Sequence, residues 1–169
     1  HAQTTQKVLN KITKTLEVLA KNDKVCQLIQ TIPGLGTICS CRLRATIGDI
    51  KRFKNPKDFP AYYGLVPRSI ATGHNEKKGK ITHRGDRTMR SLMVQGAGCV
   101  IRLATCGKLK SKHLTKWILK KQKEKMPWGK LVCAVAAKLL RIVRAILISS
   151  KPYNPKIAGV AKCSLSKGS

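Results

Sequence analysis

Apolar residues recur at helical spacing over most of the chain and predict a helical protein. Residues 5–21 predict a first helix, in which Leu9, Ile12, Leu16 and Leu19 repeat at intervals of three, four and three. A short seam of this kind is typical of a coiled-coil arm, and equally of a single amphipathic helix lying on the domain. The pattern leaves both interpretations open.

Capping residues and glycines predict the helices that follow. Three short helices are expected over 23–30, 37–47 and 55–63, from the signals Asp23, Gly48 and Asn55-Pro56. Three longer ones are expected over 87–106, 111–125 and 128–149. Asp86 is interpreted as the cap of the first of these and not as an acid catalyst. Gly96 and Gly98 lie inside the first of these longer helices, where glycine is unfavourable, and so indicate close helix–helix contact.

One segment, residues 66–85, has no helical period. It is polar, contains Gly73, Gly79 and Gly85, and has room for a short hairpin. Long loops in compact domains usually carry function or are disordered. The predicted fold class is therefore all-α, with a coiled-coil-like N-terminal helix and one long irregular loop.

Charge changes the picture more than composition does. The chain has 35 Lys and Arg against 7 Asp and Glu, a formal net charge of +28. Nucleic acid is the default partner for such a chain, and a membrane surface is the weaker rival. No span is predicted, because the longest apolar stretch, 131–148, is interrupted by Lys138, Arg141 and Arg144.

Cysteines and acids exclude some chemistry. The seven cysteines include no CxxC pair, which indicates a reduced, intracellular protein with no zinc site. The seven acids are not clustered, so no metal site is expected in this chain.

The turn Ile32-Pro33-Gly34-Leu35-Gly36 lies between two predicted helices, and residues 23–48 resemble a helix-hairpin-helix. Helix N-termini expose unpaired amides and partial positive charge, and glycine lets a phosphate approach closely. Gly34, Gly36 and Thr37 are therefore predicted to contact DNA, and Arg42 and Arg44, one to two turns later, are expected to add to these contacts. The alternative is a plain helical hairpin that packs internally.

A longer stretch, from Val25 to Tyr153, resembles the C-terminal domain of a group of bacterial insertion-sequence transposases. These recombinases carry an N-terminal DEDD domain, a coiled-coil linker and a C-terminal serine-bearing domain, and include pilin-gene invertases and RNA-guided members. The most specific matches are Ile32–Gly36, Gly48-Asp49, Phe59, Gly64–Pro67 and Ile81–Asp86.

The resemblance implies a serine nucleophile before Gly73, but this chain has Ala71-Thr72-Gly73 there. Thr72 is then the expected nucleophile, Ser69 the nearest alternative, and a third interpretation is that neither reacts. Four cations bracket this loop and are expected to bind the DNA backbone: Arg68, Lys80, Arg84 and Arg87. His74 and His83 could carry protons, but a lone histidine in a loop is more often solvated or in contact with phosphate, so both are left out of the catalytic set.

The expected organisation is the end of a coiled-coil linker at 1–22, a helical domain at 23–150 and a basic flexible tail at 151–169. The resemblance implies that this chain is part of a longer transposase of the bacterial cytoplasm and nucleoid. DNA, a guide RNA and a second copy of the chain are its implied partners. The chain itself is expected to hold no cofactor, and Mg²⁺ is expected on the missing DEDD domain, without which the fragment would be inactive.

Two other functions compete with this one. The first is a non-catalytic helix-hairpin-helix module that only holds DNA or structured RNA. The second is a ribosome-associated basic protein.

Overall fold

The computed structural model describes residues 2–72, 75–82 and 85–156. These residues form seven α-helices and one two-stranded antiparallel sheet. The fold class is all-α, as the hydrophobic pattern predicts. Within these ranges, no helix combines the length and the apolar character that crossing a membrane requires.

The first three helices follow the predicted caps. They are α1 (Ala2–Asn22), α2 (Lys24–Gln30) and α3 (Thr37–Ile47). Asp23 ends the first and starts the second, because its carboxylate accepts hydrogen bonds from the Val25 and Cys26 amides at 2.7 and 3.3 Å. Gly48 follows α3 with a φ of +59°, a conformation that glycine adopts without strain.

The fourth helix is shorter than predicted. Helix α4 spans Asp58–Tyr62 and follows a short 3-10 turn at Ile50–Arg52. The assignment of Asn55 as its N-cap is wrong, since Lys57 occupies that position. Asp58 instead accepts a hydrogen bond from the Asn55 amide at 3.0 Å, and this bond closes the turn before the helix.

The segment predicted as a long irregular loop is mostly a β-hairpin. Strands β1 (Pro67–Thr72) and β2 (Asn75–Ile81) pair antiparallel, with Thr72 opposite Asn75 and Pro67 opposite Ile81. The register shifts by one residue between Pro67 and Ser69. The short hairpin for which the sequence had room is therefore present. It takes up most of the segment that was expected to be irregular.

Three long helices complete the domain. They are α5 (Arg87–Thr105), α6 (Lys112–Lys123) and α7 (Trp128–Ser149). Helix α7 is the centre of the fold and packs against α2, α4, α5 and α6. Its apolar face, which includes Val135, Leu139, Leu140 and Val143, is fully buried, and burial of this surface is the main force holding the helices together.

The chain beyond α7 continues along the domain as far as the structure describes it. The Tyr153 amide donates to the Thr31 hydroxyl at 2.9 Å, and Tyr153 packs against the core. The Ser111 hydroxyl donates to the Pro155 carbonyl at 3.4 Å. Residues 151–156 of the predicted tail therefore contact α2 and the start of α6.

Candidate nucleic-acid interface

The glycine turn between α2 and α3 has two unlike glycines. Gly34 has a φ of +83°, and a Cβ built there would lie 2.6 Å from the Gly96 carbonyl oxygen and from a Val100 methyl carbon. Gly36 has a φ of −90°, and a Cβ built there would meet nothing within 4 Å. Gly34 thus holds the turn against α5, while Gly36 faces open space.

Gly36 is also the N-cap of α3. Within the described part of the chain, no side chain caps this helix start. Its first amides therefore have no intrahelical acceptor, and they carry the partial positive charge of the helix terminus. Thr37 is the first residue of the helix and is half-buried, and its carbonyl accepts a hydrogen bond from the Ser40 hydroxyl at 2.8 Å. The geometry leaves room for an anion beside Gly36 and Thr37.

Two arginines of α3 bind the caps of neighbouring helices. Arg42 pairs with Asp86 at 2.8 Å, and Arg44 pairs with Asp23 at 2.9 Å. Asp86 caps α5 by accepting a hydrogen bond from the Met89 amide at 3.1 Å. The sequence left these partners unidentified, because the paired residues are 44 and 21 positions apart.

These contacts set the acidity of both carboxyl groups. Desolvation acts to raise the pKa of Asp86, but the hydrogen bonds from the Met89 amide and Arg42 outweigh it and lower that pKa from its ordinary value. Desolvation likewise opposes the shift at Asp23, where the Arg44 bond and the α2 amides lower the pKa. The lowered pKa values favour the ionised form of both carboxyl groups, and each of them caps a helix. This supports the interpretation of Asp86 as a cap and not as an acid catalyst.

The hairpin places the predicted nucleophiles at different positions along β1. Thr72 is the last residue of β1, next to the tip, and Ser69 lies opposite Lys78 further down. The two predicted nucleophiles therefore lie three positions apart along the backbone of one strand.

Arg68 and Lys80 lie at the irregularity of the hairpin. Pro67 pairs with Ile81 while Ser69 pairs with Lys78, so β2 carries one extra residue opposite Arg68. Bulges of this kind bend and twist a strand and are frequent beside functional sites. The structure thus brings these two predicted DNA-binding residues to one level of the hairpin.

The base of the hairpin is fastened to the helical domain. A Cβ at Gly85 would lie 2.1 Å from the Tyr62 carbonyl oxygen, and Gly85 has a φ of +84°. The Thr82 amide donates to the Val66 carbonyl at 3.2 Å. The Tyr63 hydroxyl is 2.8 Å from that of Thr46 on α3, and this pairing fixes the base to the helix that also carries Arg42.

The remaining predicted residues have different outcomes. Arg87 is the first residue of α5 and is exposed beside the hairpin base. Arg84, His74 and His83 lie outside the described residues. The sequence did not predict the pairing of Arg42 with Asp86 or the close approach of Gly85 to Tyr62. Gly96 inside its helix, by contrast, indicated the close contact that it makes with Gly34. Gly98 makes no such contact, since a Cβ there would approach only the end of the Arg102 side chain, at 3.9 Å.

The glycine turn and α3 contact α5 at two separate places. Gly34 contacts α5 at Gly96, and Arg42 contacts it at Asp86, ten residues earlier. Ten residues of α-helix span about 15 Å. The contacts of α5 with the glycine turn and with α3 are therefore closer together along α5 than one turn of a duplex, which is about 34 Å.

The described residues offer no metal site, and two of their buried thiols are held in the protonated form. They contain no group of three or more His, Cys, Asp or Glu side chains placed to hold a metal ion. Burial raises the pKa of Cys39 to about 12. Burial, reinforced by neighbouring Cys41, raises that of Cys26 to about 11, so both thiols stay protonated at neutral pH.

Comparison with known proteins adds the family. Residues 26–113 match the sequence profile of the Transposase IS116/IS110/IS902 family. A probable family 20 transposase of Pseudomonas aeruginosa is 29% identical over 153 residues, which cover 90% of this chain and 44% of that protein. The transposase for insertion sequence element IS1111A of Coxiella burnetii is 32% identical over 138 residues, covering 82% of this chain and 37% of that protein.

A gene-inverting protein is also among the relatives. The pilin gene-inverting protein of Moraxella bovis is 27% identical over 131 residues, which cover 77% of this chain and 39% of that protein. The chain thus spans less than half the length of each of these relatives. Because the family profile covers just over half of the 169 residues, the chain belongs to the IS116/IS110/IS902 transposase family.

Proposed function

We propose that this chain is the part of a DNA transposase or site-specific recombinase that binds DNA and supplies a hydroxyl nucleophile. Its family membership supports DNA recombination as the activity, and its net charge of +28 supports a polyanion as the substrate. The observation that carries the proposal is the position of Thr72 at the end of β1, beside the hairpin tip. We propose that a DNA backbone reaches the hairpin at this position.

The proposed binding surface runs from the α3 N-terminus to the hairpin. Backbone amides at Gly36 and Thr37 bind one phosphate, and Arg87 and the bulge residues Arg68 and Lys80 bind others. Such contacts orient a duplex without reading its sequence. Arg42 and Arg44 are left out of this set, because they pair with Asp86 and Asp23.

The proposed reaction is displacement at a DNA phosphorus. The Thr72 hydroxyl loses its proton to solvent as its oxygen forms a bond to phosphorus. The bond from phosphorus to one deoxyribose oxygen breaks, and that oxygen takes a proton from solvent and leaves as a free DNA hydroxyl. The product is a threonyl phosphodiester, which a DNA hydroxyl reverses or resolves during strand exchange. Cations around the hairpin stabilise the charge that develops on the phosphoryl oxygens.

The Mg²⁺ that the family resemblance implies has no ligand set among the described residues. We therefore propose that it belongs to a part of the transposase outside this chain, and we assign no step of the reaction to it. We also propose a guide RNA as a further partner of the complete transposase. The exposed residues Leu9, Ile12 and Leu19 of α1 fit a seam with a second copy of the chain, which is our proposal for the oligomer.

The test is a covalent trap with the complete transposase that carries this chain. Nicked or phosphorothiolate DNA is added with Mg²⁺, and peptide mass mapping locates the adduct. We expect the adduct on Thr72, loss of at least about 10³-fold in cleavage for Thr72→Ala, and recovery in Thr72→Ser. Affinity for DNA should stay unchanged in all three proteins.

Ser69→Ala is the matched control, because it removes a hydroxyl from the same strand. Full cleavage by Thr72→Ala would contradict the assignment. An adduct on Ser69 would keep the function and move the nucleophile. Absence of any adduct, with DNA binding retained, would favour the non-catalytic binding module.

A further inference from the structure

A row of lysines runs along the exposed side of α6, at the end of the domain away from the hairpin. Lys112, Lys116, Lys120 and Lys123 follow one another at intervals of four, four and three, and all four are exposed. Residues at these intervals share one face of a helix. We call these four residues the lysine stripe.

One acidic side chain in the described ranges acts on the stripe, at its C-terminal end. Glu124 forms its ion pair with Lys121, which lies outside the stripe, and its carboxylate also attracts Lys120. The other ion pairs among the described residues are at Asp23 and Asp86, in α3's contacts with α2 and α5. Like charges one helical turn apart repel each other. The stripe therefore keeps a net positive charge, which favours binding of a polyanion from outside the chain.

Two cations of α7 add to this charge. The Lys138 ammonium lies 4.4 Å from the centre of the Trp117 ring of α6. Burial, together with the neighbouring Arg141 guanidinium, lowers the pKa of Lys138. Arg141 Nε is buried and has no hydrogen-bond acceptor among the described residues. The interface of α6 with α7 thus adds positive charge behind the stripe.

The chemistry of α6 favours nucleic acid over a membrane. Its apolar face is occupied, since Leu114 and Ile118 are buried in the core. A helix that lies in a membrane surface must keep such a face free for the lipid. A protein partner is also disfavoured, because the cores of protein interfaces are enriched in aromatic residues and depleted in lysine.

The stripe is remote from the proposed DNA-binding surface. Gln122 of α6 donates to the Thr105 hydroxyl at 3.3 Å, at the C-terminal end of α5. Arg87 begins the same helix beside the hairpin, 18 residues earlier, and such a length of helix spans about 27 Å. A nucleic-acid segment on the stripe is therefore separate from the phosphates bound beside α3.

We propose that the lysine stripe is a second nucleic-acid surface, which binds the phosphodiester backbone of a duplex. Its lysines act as point charges, and the stripe carries no aromatic platform for unstacked bases. It is about 16 Å long, and over that length a duplex presents about ten phosphate charges. The inference goes beyond the proposed function and does not depend on the nucleophile.

The first experiment compares two charge-matched variants of the chain. One carries Lys→Gln at the four stripe positions; the control carries Lys→Gln at four exposed lysines of α1: Lys7, Lys11, Lys14 and Lys21. Glutamine keeps helix propensity nearly unchanged, so both variants should unfold at the wild-type temperature. Affinities for a 20-base-pair duplex DNA and for a duplex RNA are measured between 50 and 200 mM salt.

The expected result is a flatter salt dependence for the stripe variant alone. Each phosphate contact contributes about 0.9 to the slope of log affinity against log salt, so losing four contacts reduces that slope by about 3 to 4. A flattening confined to the DNA or to the RNA arm identifies the source of the backbone. Equal changes in the stripe and control variants, or no change in either, would overturn the proposal.

The second experiment needs no variant and reads each lysine directly. The chain is acylated with a lysine-specific reagent, with and without the duplex, and modified peptides are quantified by mass. Protection of the stripe with continued labelling of the α1 lysines supports the proposal; uniform labelling, or uniform protection, overturns it. Either result leaves the covalent trap at Thr72 unaffected, so the two proposals fail separately.

Discussion

Two glycines that look alike in the sequence have different roles in the structure. Gly34 and Gly36 flank one leucine, and both were predicted to admit a phosphate. Gly34 has positive φ and contacts the Gly96 backbone, whereas Gly36 has an ordinary φ and open space around it. The first glycine is thus needed for the packing of the turn against α5, and only the second has the surroundings that a phosphate contact needs.

Substitution of these glycines should separate stability from binding. Gly34→Ala adds a methyl group against the Gly96 carbonyl at an unfavourable φ, so we expect a loss of about 2–4 kcal/mol in the free energy of unfolding. Gly36→Ala should cost less than about 1 kcal/mol and weaken duplex binding, because its Cβ faces the proposed phosphate. Urea unfolding and binding titrations measure the two effects.

Gly36→Ser is the control for the second substitution, since serine caps a helix well and tests crowding without loss of the cap. A Gly34→Ala protein as stable as the wild type would contradict the packing of the turn against α5. A Gly36→Ala protein with full affinity would remove Gly36 from the proposed interface.

At the scale of elements, α3 is the connector of the domain. Its arginines reach the caps of two other helices, through Arg42–Asp86 to α5 and Arg44–Asp23 to α2. Each carboxylate therefore serves a helix start and an ion pair together. Both pairs are partly exposed, so their Coulomb energy is modest, and their main effect is on the relative placement of the helices.

These two caps predict how stability depends on pH. The pKa values of Asp23 and Asp86 are lowered in the folded chain, so the unfolded chain binds more protons in the acid range. Their stabilisation is complete above the ordinary aspartate pKa of 3.8 and is lost as the pH falls through the lowered folded values. Thermal unfolding between pH 7 and 2 should show this decline.

Asp86→Asn tests the assignment, because asparagine caps a helix as well as aspartate does but cannot pair as an anion with Arg42. We expect a lower unfolding temperature at pH 7 and a shallower decline on acidification. Glu17→Gln is the control, since Glu17 is exposed and makes none of the ion pairs in the described ranges. The same pH profile in Asp86→Asn and in the wild type would exclude this role for the pair.

For the whole molecule, the net charge of +28 dominates any encounter with a polyanion. Aromatic residues are only 4% of the chain, so stacking on bases contributes less than phosphate contact. The described features that support DNA binding, namely helix termini and exposed cations, all address the backbone. Affinity should therefore depend on salt much more than on base sequence.

We expect binding of a 20-base-pair duplex to weaken by about 10³- to 10⁵-fold between 50 and 200 mM salt, the range for 6–10 phosphate contacts. A second duplex of the same length and unrelated sequence should give the same slope, which fluorescence anisotropy can measure. An affinity independent of salt, or a strong preference between the two sequences, would show that base contacts and not phosphates supply the binding energy.

The sequence by itself determined those features that depend on neighbouring residues. Asp23 and Asp86 were predicted as caps, and α3 and α7 were predicted to the residue, because capping and apolar periodicity act within one or two turns. Membership of a transposase family was also readable from motifs along the chain, and the family profile confirms it. Net charge needs only a count of residues.

The tertiary structure alone decided which distant groups meet. Pairing of β1 with β2 ordered a segment that has no local period, and the contact with Gly96 turned Gly34 into a packing residue. Arg42 and Arg44 pair with carboxylates that are 44 and 21 residues away along the chain. These pairs exclude both arginines from the set of cations proposed to bind DNA. Such contacts arise only when elements pack together, because their energies depend on distances in space that spacing along the chain does not specify.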